Sequence, residues 1–564
     1  MPVKLSRWVI LLASASARWD LKPPLGYNPC NGFNCHMSAL GEGTLRSIAA
    51  AISSNGMLSA GYTLFSLDDG YQGPRTNGTL TANVSAFPSG TLAPLAAFVR
   101  SLGLELGAYT DRGSLTCEHF SGSLGYEADD ARTLASWGVT YLKEDSCNSS
   151  EVEADRRAEY GRMAVAANET GIFLSVCGWS PTYAVFASLD PPIGGSWRLG
   201  PDAGPWSRFL LGLEAAGSAS SVIGFGRGFP DLDMLSSNTG ATQELFRLSA
   251  VAIVGSPLLL SWDVRNATAS DLPLDVYLNP ELLAIHQDDR ILPPRPYFFR
   301  VRGGPATAAA GVTPPAAGLP CTAPAAQWLY TPVAGGSGGG TLESLGAPGF
   351  CLSSWDLIPG GSCRNPINAY LLPCANMSSS VGCPASAFEW IPSPNGTLAV
   401  AFNAAAETGG LGTNPFPGHL LTASGAPGAL FLQPPRTGSD ASAQVWRTEA
   451  TRGGPAATVT LEAADGTCLG AAPPADDNVW ARLLSNGDVA LLLVNLRADS
   501  AATVACDTGC IADIEAAVHH VPSGGWAVRD VHARENRGVT KNYSSPILPQ
   551  NGGSVLLRLS SAGR

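Results

Sequence analysis

From Pro23 to about Asp289, short apolar runs alternate with amphipathic stretches. The runs Leu25–Cys30, Thr63–Gly70, Leu104–Asp111, Val139–Cys147, Ile172–Trp179, Ser196–Asp202, Val222–Leu235 and Leu258–Val264 predict eight strands, the seventh irregular. Between them, Thr44–Leu58, Leu92–Leu102, Tyr126–Trp137, Asp155–Asn168 and Ala241–Val254 carry the apolar spacing of helices. Eight strand signals alternating with helical ones over this length predict an α/β fold, a (β/α)8 TIM barrel rather than an open sheet.

The texture changes after Tyr297-Phe298-Phe299-Arg300-Val301. Residues 304 to 475 are rich in Gly, Pro, Ala and Ser and carry Cys321, Cys351, Cys363, Cys374, Cys383 and Cys468. Gly349-Phe350-Cys351-Leu352 and Gly466-Thr467-Cys468-Leu469 are near-copies. Gln327-Trp328, Phe388-Glu389-Trp390 and Gln444-Val445-Trp446 form a second echo. These pairs resemble the Gln-x-Trp and Cys-Leu repeats of ricin-type β-trefoils. A disulfide-stapled structural insert is the other reading. From Asp477, clean alternation returns through Val479–Leu484 and Gly487–Asn495 and predicts antiparallel strands. The expected domains are a signal peptide (1–17), the barrel (18–292), a first sandwich strand (293–303), the insert (304–475) and a C-terminal β-sandwich (476–564).

Composition narrows the function. Hydrophobic residues make up 45% of the chain, which is ample for packed cores. The net charge of −12 argues against nucleic acid and anionic membrane surfaces and fits a neutral substrate or polymer. At the start, Lys4 and Arg7 precede the apolar Trp8–Ala13, and Ala15-Ser16-Ala17 makes a small-x-small cleavage site. This is a secretory signal, too short to span a bilayer. No later stretch is long and apolar enough to do so. Sequons at Asn77, Asn83, Asn148, Asn168, Asn266, Asn376, Asn395 and Asn542 support export, to the outside or to a vacuole or lysosome. In that oxidising route most of the thirteen cysteines pair, and an odd count leaves at least one over.

The strand ends carry the chemistry. Val139–Leu142 is apolar and opens into Lys143-Glu144-Asp145-Ser146-Cys147. Other strand ends hold Asp68 and Asp69, Tyr109 and Asp111, Cys177, Arg198 and Asp202, Asp231 and Asp233, and Asp263. A single strand-end aspartate is commonly a helix cap. Acidic residues at five or more strand ends of one barrel converge on one mouth. Such a pocket, with one Lys and one Arg, suits a polyol: carboxylates accept hydrogen bonds from sugar hydroxyls, and a carboxylate pair can cleave a glycosidic bond. A magnesium or calcium site is the competing reading, and Lys143 and Arg198 in the same mouth oppose it.

These residues resemble glycoside hydrolase family 27, the α-galactosidase and α-N-acetylgalactosaminidase family. The likeness rests on Pro23-Pro24-Leu25-Gly26-Tyr27-Asn28, Leu67-Asp68-Asp69-Gly70-Tyr71, Tyr141–Cys147, Ser196-Trp197-Arg198 with Asp202, and Asp231-Leu232-Asp233-Met234-Leu235. It implies a retaining exo-glycosidase without metal or cofactor that releases terminal α-galactose. Asp145 would be the nucleophile and Asp202 the acid/base, roughly 5–6 Å apart. Asp68 and Asp69 would bind O6 and O4, Lys143 the hydroxyls near O3 and O4, and Arg198 and Asp233 the O2 side. Tyr109 and Cys117 would line the pocket. Lys143 and Arg198 should keep Asp145 ionised, while Asp202 needs a raised pKa.

The resemblance also implies disulfides Cys117–Cys147 and Cys506–Cys510. A Cys30–Cys35 pair stays open, with Cys177 as the leftover thiol. Cys30 stands where many members have a tryptophan that packs on the sugar. Gly178 stands where many have a glutamate that binds O2. An α-N-acetylgalactosaminidase or a β-L-arabinopyranosidase therefore remains an alternative, and an inactive carbohydrate-binding protein a distant one. Two partner readings also stay open: a homodimer, and carbohydrate binding by the 304–475 segment.

Overall fold

The computed structural model describes residues 22–303 apart from 151–152, 179–180, 205, 222, 224–226, 267 and 289–295. It describes 475–562 apart from 519–521 and 523. Between these lie the described stretches 316–319, 321–332, 340–353, 356–358, 362–364, 370–374, 390–392, 398–400, 420–423, 430–433, 447–451, 457–462 and 468–470. The expected signal peptide (1–17), Trp179, Asn376, Asn395, Cys383 and the side chain of Cys363 lie outside the described residues.

Eight parallel strands form the barrel: β1 (Leu25–Tyr27), β2 (Leu64–Ser66), β3 (Glu105–Asp111), β4 (Val139–Asp145), β5 (Phe173–Val176), β6 (Ser196–Arg198), β7 (Phe229–Asp231) and β8 (Leu258–Leu260). They pair in chain order, and β1 also pairs with β8. A bridge just beyond β7 closes the circle, where Leu235 pairs in parallel with Leu260. Leu235 N donates to Leu259 O at 2.9 Å, and Ser261 N donates to Leu235 O at 2.9 Å. Six helices alternate with the strands: α1 (Met37–Ser54), α2 (Ala93–Ser101), α3 (Glu127–Trp137), α4 (Glu153–Thr170), α5 (Trp206–Ala219) and α6 (Ala241–Val254).

Local chemistry explains the elements. Helix α3 begins with Glu127, Asp129 and Asp130, whose charge favours the N-terminal end of the helix dipole. It ends at Gly138 (φ 94°), a left-handed C-cap that suits glycine, and the next residue starts β4. Gly26 keeps β1 against β2: a β-carbon there would stand 2.3 Å from Leu64 O. Most strands are shorter than the apolar runs that announce them. Their polar ends, such as Asp68-Asp69 after β2, leave the ladder and turn into the mouth.

The chain then enters a six-stranded antiparallel sheet. Phe298–Arg302 pairs with Asp477–Leu483 across the intervening segment. The sheet continues through Val489–Asn495, Gly553–Ser561, Trp526–Asp530 and Glu535–Thr540. Buried Arg482 ties it to the barrel by donating to Ala252 O at 2.6 Å and to His286 O at 3.3 Å. Between Phe298–Arg302 and Asp477–Leu483, the described strands make a separate twelve-stranded antiparallel sheet and a two-stranded hairpin of Asp356–Ile358 with Ser362–Arg364. One bond occurs twice in the larger sheet. Trp328 Nε1 donates to Leu469 O at 2.8 Å, and Trp390 Nε1 donates to Leu352 O at 2.9 Å. Disulfides join Cys321 to Cys468 and Cys351 to Cys374. No described helix is long and apolar enough to cross a membrane.

Candidate active site

Strand β4 delivers Lys143 and Asp145 to the mouth on alternate positions, so both side chains point into the barrel. Asp145 is buried. Tyr109 OH, from β3, donates to its Oδ2 at 3.0 Å, and Ser146 N donates to its Oδ1 at 2.9 Å. Lys143 Nζ stands 3.9 Å from Oδ2. Burial pushes the Asp145 carboxyl above its ordinary pKa, Lys143 pulls it back, and Asp202 adds a further upward push. For Lys143, burial disfavours the charge, but Asp68 and Asp145 among its neighbours outweigh it and keep the amine protonated.

Asp68 completes this side of the pocket. It accepts from Lys143 Nζ at 3.1 Å and from Asn28 Nδ2 at 2.8 Å. Asn28, just past β1, also accepts from Cys30 N at 2.9 Å, which fixes its amide. Asp69 turns to the loops: Glu118 N donates at 2.8 Å and Gly70 N at 2.6 Å. Burial raises its pKa to about 6 against the pull of those bonds.

Opposite, Arg198 at the end of β6 forks between two carboxylates. Its Nη2 donates to Asp202 Oδ1 at 2.7 Å, and its Nη1 donates to Asp233 Oδ1 at 2.8 Å. Asp233 has φ of 77°, a conformation uncommon for a residue with a side chain. Asp231 Oδ1, accepting from Asp233 N at 2.7 Å, holds that turn. The Asp202 side chain is 69% exposed, at the outer edge of the pocket. Desolvation raises its pKa, but Arg198 and Lys143 outweigh it and the carboxyl sits below its ordinary value.

The order of the two carboxyls is therefore the reverse of the expectation from the chain. Arg198 was expected to keep Asp145 ionised and Asp202 to have a raised pKa. Arg198 instead pairs with Asp202 and Asp233, while Asp145 lies deeper with Lys143 at longer range. Asp263 also departs from expectation. It forms a salt bridge with Arg265 at 2.8 Å, and it is not among the residues around the cavity beside Lys143 and Arg198. Asp111 is buried and structural: Gly113 N and Cys147 N each donate to it at 2.7 Å.

The sulfurs of Cys117 and Cys147 are bonded to each other, and Cys117 Sγ lies 3.1 Å from Tyr109 OH. Cys30 pairs with Cys35 and Cys506 with Cys510. Cys177 is a buried free thiol at the pocket floor. It borders a cavity of about 20 Å³, room for one water, beside Lys143, Arg198, Tyr141 and Ser66. Next to it, a β-carbon on Gly178 would meet the ring of buried Tyr183 at 2.0 Å. Sequence reasoning gave Asn28 and Tyr183 no part here. Asn28 carried one usable signal, its position at the C-terminal end of a barrel strand.

A closed parallel barrel whose mouth gathers several carboxylates, a lysine and an arginine is the frame of a glycoside hydrolase. A family model described as alpha galactosidase A matches residues 23–191, and one for the alpha galactosidase C-terminal beta sandwich domain matches residues 475–559. A probable alpha-galactosidase of Dictyostelium discoideum is 36% identical over 275 residues, covering 48% of this chain and 69% of its own. Alpha-galactosidase 3 of Arabidopsis thaliana is 36% identical over 274 residues, covering 47% of this chain and 60% of its own. The solved alpha-galactosidase I from Mortierella vinacea shares the fold, with a TM-score of 0.57 and 20% identity over 96% of this chain and 98% of that one. The chain belongs to the α-galactosidase family of glycoside hydrolases, family 27.

Proposed function

We propose that this glycoside hydrolase releases terminal α-D-galactosyl residues with retention, by double displacement. The observation that carries the reading is the pairing of a buried, Tyr109-anchored Asp145 with an exposed, Arg198-anchored Asp202 across one mouth. Asp145 attacks the anomeric carbon, and the C1–O bond to the leaving group breaks as Asp202 donates its proton to that oxygen. Asp202 then removes a proton from water, which displaces Asp145 from C1. Asp68, fixed by Asn28 and Lys143, receives the hydroxyls at the far end of the ring.

Without sugar, Arg198 holds Asp202 ionised. A sugar closing over this exposed carboxyl removes water from it, which raises its pKa toward the value an acid needs. Esterification of Asp145 then removes a negative neighbour, which lowers the pKa of Asp202 and leaves it as the carboxylate that takes the proton from water in the second step.

Gly178 supports one second reading. The ring of Tyr183 fills the space a side chain at 178 would take, so position 178 offers no carboxylate to O2. A sugar altered at C2, above all N-acetylgalactosamine, is the alternative. One experiment separates the readings: p-nitrophenyl α-galactoside, α-N-acetylgalactosaminide and β-L-arabinopyranoside are compared, and the first-formed sugar is followed by proton NMR. Fastest turnover of the α-galactoside with α-galactose appearing first is the expected result. Faster turnover of the acetamido sugar, or an inverted product, overturns the proposal.

The described strands between 304 and 474 we assign to a separate insert domain of trefoil type. The support is the repeated bond from a tryptophan indole to the leucine carbonyl of a Cys-Leu pair.

A further inference from the structure

A second cavity, of about 540 Å³, lies far from the catalytic mouth. Its wall includes Phe173 at the entry of β5, Gly195 just before β6 and Gly228 just before β7. These are the N-terminal ends of three adjacent strands, so the cavity opens on the face of the barrel opposite Asp145. Its volume is that of a small-molecule site, within the usual range of roughly 300–1,000 Å³. The walls are mostly apolar or bare backbone, with Arg227 as a polar group among them. Val165, from α4, is 59% exposed there, an apolar side chain that nothing described covers.

Asn168, in the last turn of α4, stands in the wall of this cavity. It is exposed and begins the sequon Asn168-Glu169-Thr170. Among the described residues, no hydrogen bond engages its side-chain amide. The sequon at the catalytic mouth differs. Asn148 Nδ2 donates to Thr116 O at 2.7 Å, one residue from the Cys117–Cys147 disulfide.

We infer that Asn168 carries an N-linked glycan whose first two sugars lie in this cavity, against Val165, Phe173 and Ile193. The inference rests on the secretory reading of the chain. In the modification, the amide nitrogen bonds to C1 of an N-acetylglucosamine. The C1–O bond to the donor, an isoprenoid diphosphate oligosaccharide, breaks, and the diphosphate leaves with the electron pair. The amide gives up one proton. The apolar faces of the sugar rings then cover Val165 and the phenyl edge, which removes apolar surface from water. The hydroxyls and acetamido groups reach Arg227 and the half-buried backbone of Gly194.

The full chain, secreted from a eukaryotic host, tests this. Glycopeptide mass spectrometry after deglycosylation in heavy-oxygen water reads occupancy at each sequon. Native and denatured protein are then digested with the same deglycosylase to compare release rates. The inference expects near-complete occupancy at Asn168 and release there at least ten-fold slower than at exposed Asn266 in the native protein. It also expects Asn168→Gln and Thr170→Ala to lower Tm by about 2 °C. Thr170→Ser, which keeps the sequon, should leave Tm unchanged. Occupied Asn266 or Asn542 with Asn168 bare overturns the inference. So does an occupied Asn168 that is released as fast as Asn266 and whose removal leaves Tm unchanged. A secreted chain bare at every sequon overturns it as well, leaving the catalytic reading untouched.

Discussion

Asn28 shows what a single side chain does for this pocket. Its amide is fixed by Cys30 N on one side and donates to Asp68 on the other. Asp68 in turn shares Lys143 with the region around Asp145. Asn28→Ala leaves Asp68 and Lys143 in the pocket with one bond fewer. A buried hydrogen bond to a charged group contributes about 1.5–3 kcal/mol, so kcat/KM should fall roughly 10- to 100-fold. The loss should sit largely in KM, because the bond orients a binding group rather than the reacting atoms. Steady-state kinetics of this variant check it, with Tm measured alongside. Asp68, Asp145 and Asp202 stood out because carboxylates gather at many barrel strand ends, but the same pattern also picked out Asp111 and Asp263, which bond to backbone amides and to Arg265. Their ionisation was not legible. Whether Arg198 serves Asp145 or Asp202 is decided by a few ångströms, and the chain does not encode that distance.

Among the elements, helices α1 to α4 announced themselves, since each has one buried and one wet face, and α6 did so by its apolar spacing although it is buried all round from Phe246 to Val254. Helix α5 did not: Phe209, Leu210, Leu211 and Leu213 are all buried, and its pattern lacks a polar stripe. β7 was legible only as an irregular run, and it holds three residues before the turn that contains Asp233. The strand pairing across the insert was foreshadowed by the apolar texture near Phe298 and again at Val479. Arg482 was not singled out, because a charge in that strand reads as its exposed face. It is buried, and its guanidinium caps the carbonyls of Ala252 and His286. Arg482→Met keeps much of the bulk but strips those buried carbonyls of a donor. It should cost about 2–4 kcal/mol, with a Tm fall of several degrees by calorimetry and unchanged KM in the folded enzyme.

For the whole molecule, buried titratable groups set the pH range. Burial raises Asp111 to about 7, Asp69 to about 6 and Glu244 to about 7. A raised carboxyl stabilises the fold at pH below its unfolded pKa and loses that contribution as pH climbs through its folded pKa. Burial depresses His286 to about 3 and His532 to about 4. These work in the opposite sense, costing stability as pH falls below ~6.5. The carboxyls span about pH 4 to 7 and slightly outweigh the histidines. Stability should be greatest near pH 4 to 5 and decline toward pH 8. Thermal scans across this range check it, and Glu244→Gln should flatten the decline. A Tm that rises from pH 5 to 8 contradicts it.

The central claim is that Asp145 forms the bond to the sugar. The most direct measurement is azide rescue of Asp145→Gly with p-nitrophenyl α-galactoside. Removing the carboxylate should cut kcat at least ~10³-fold while the fold persists. Millimolar azide should enter the space vacated and restore turnover, and the isolated product should be β-galactosyl azide. Asp145→Gly with wild-type activity, or an azide product of α configuration, would contradict the account.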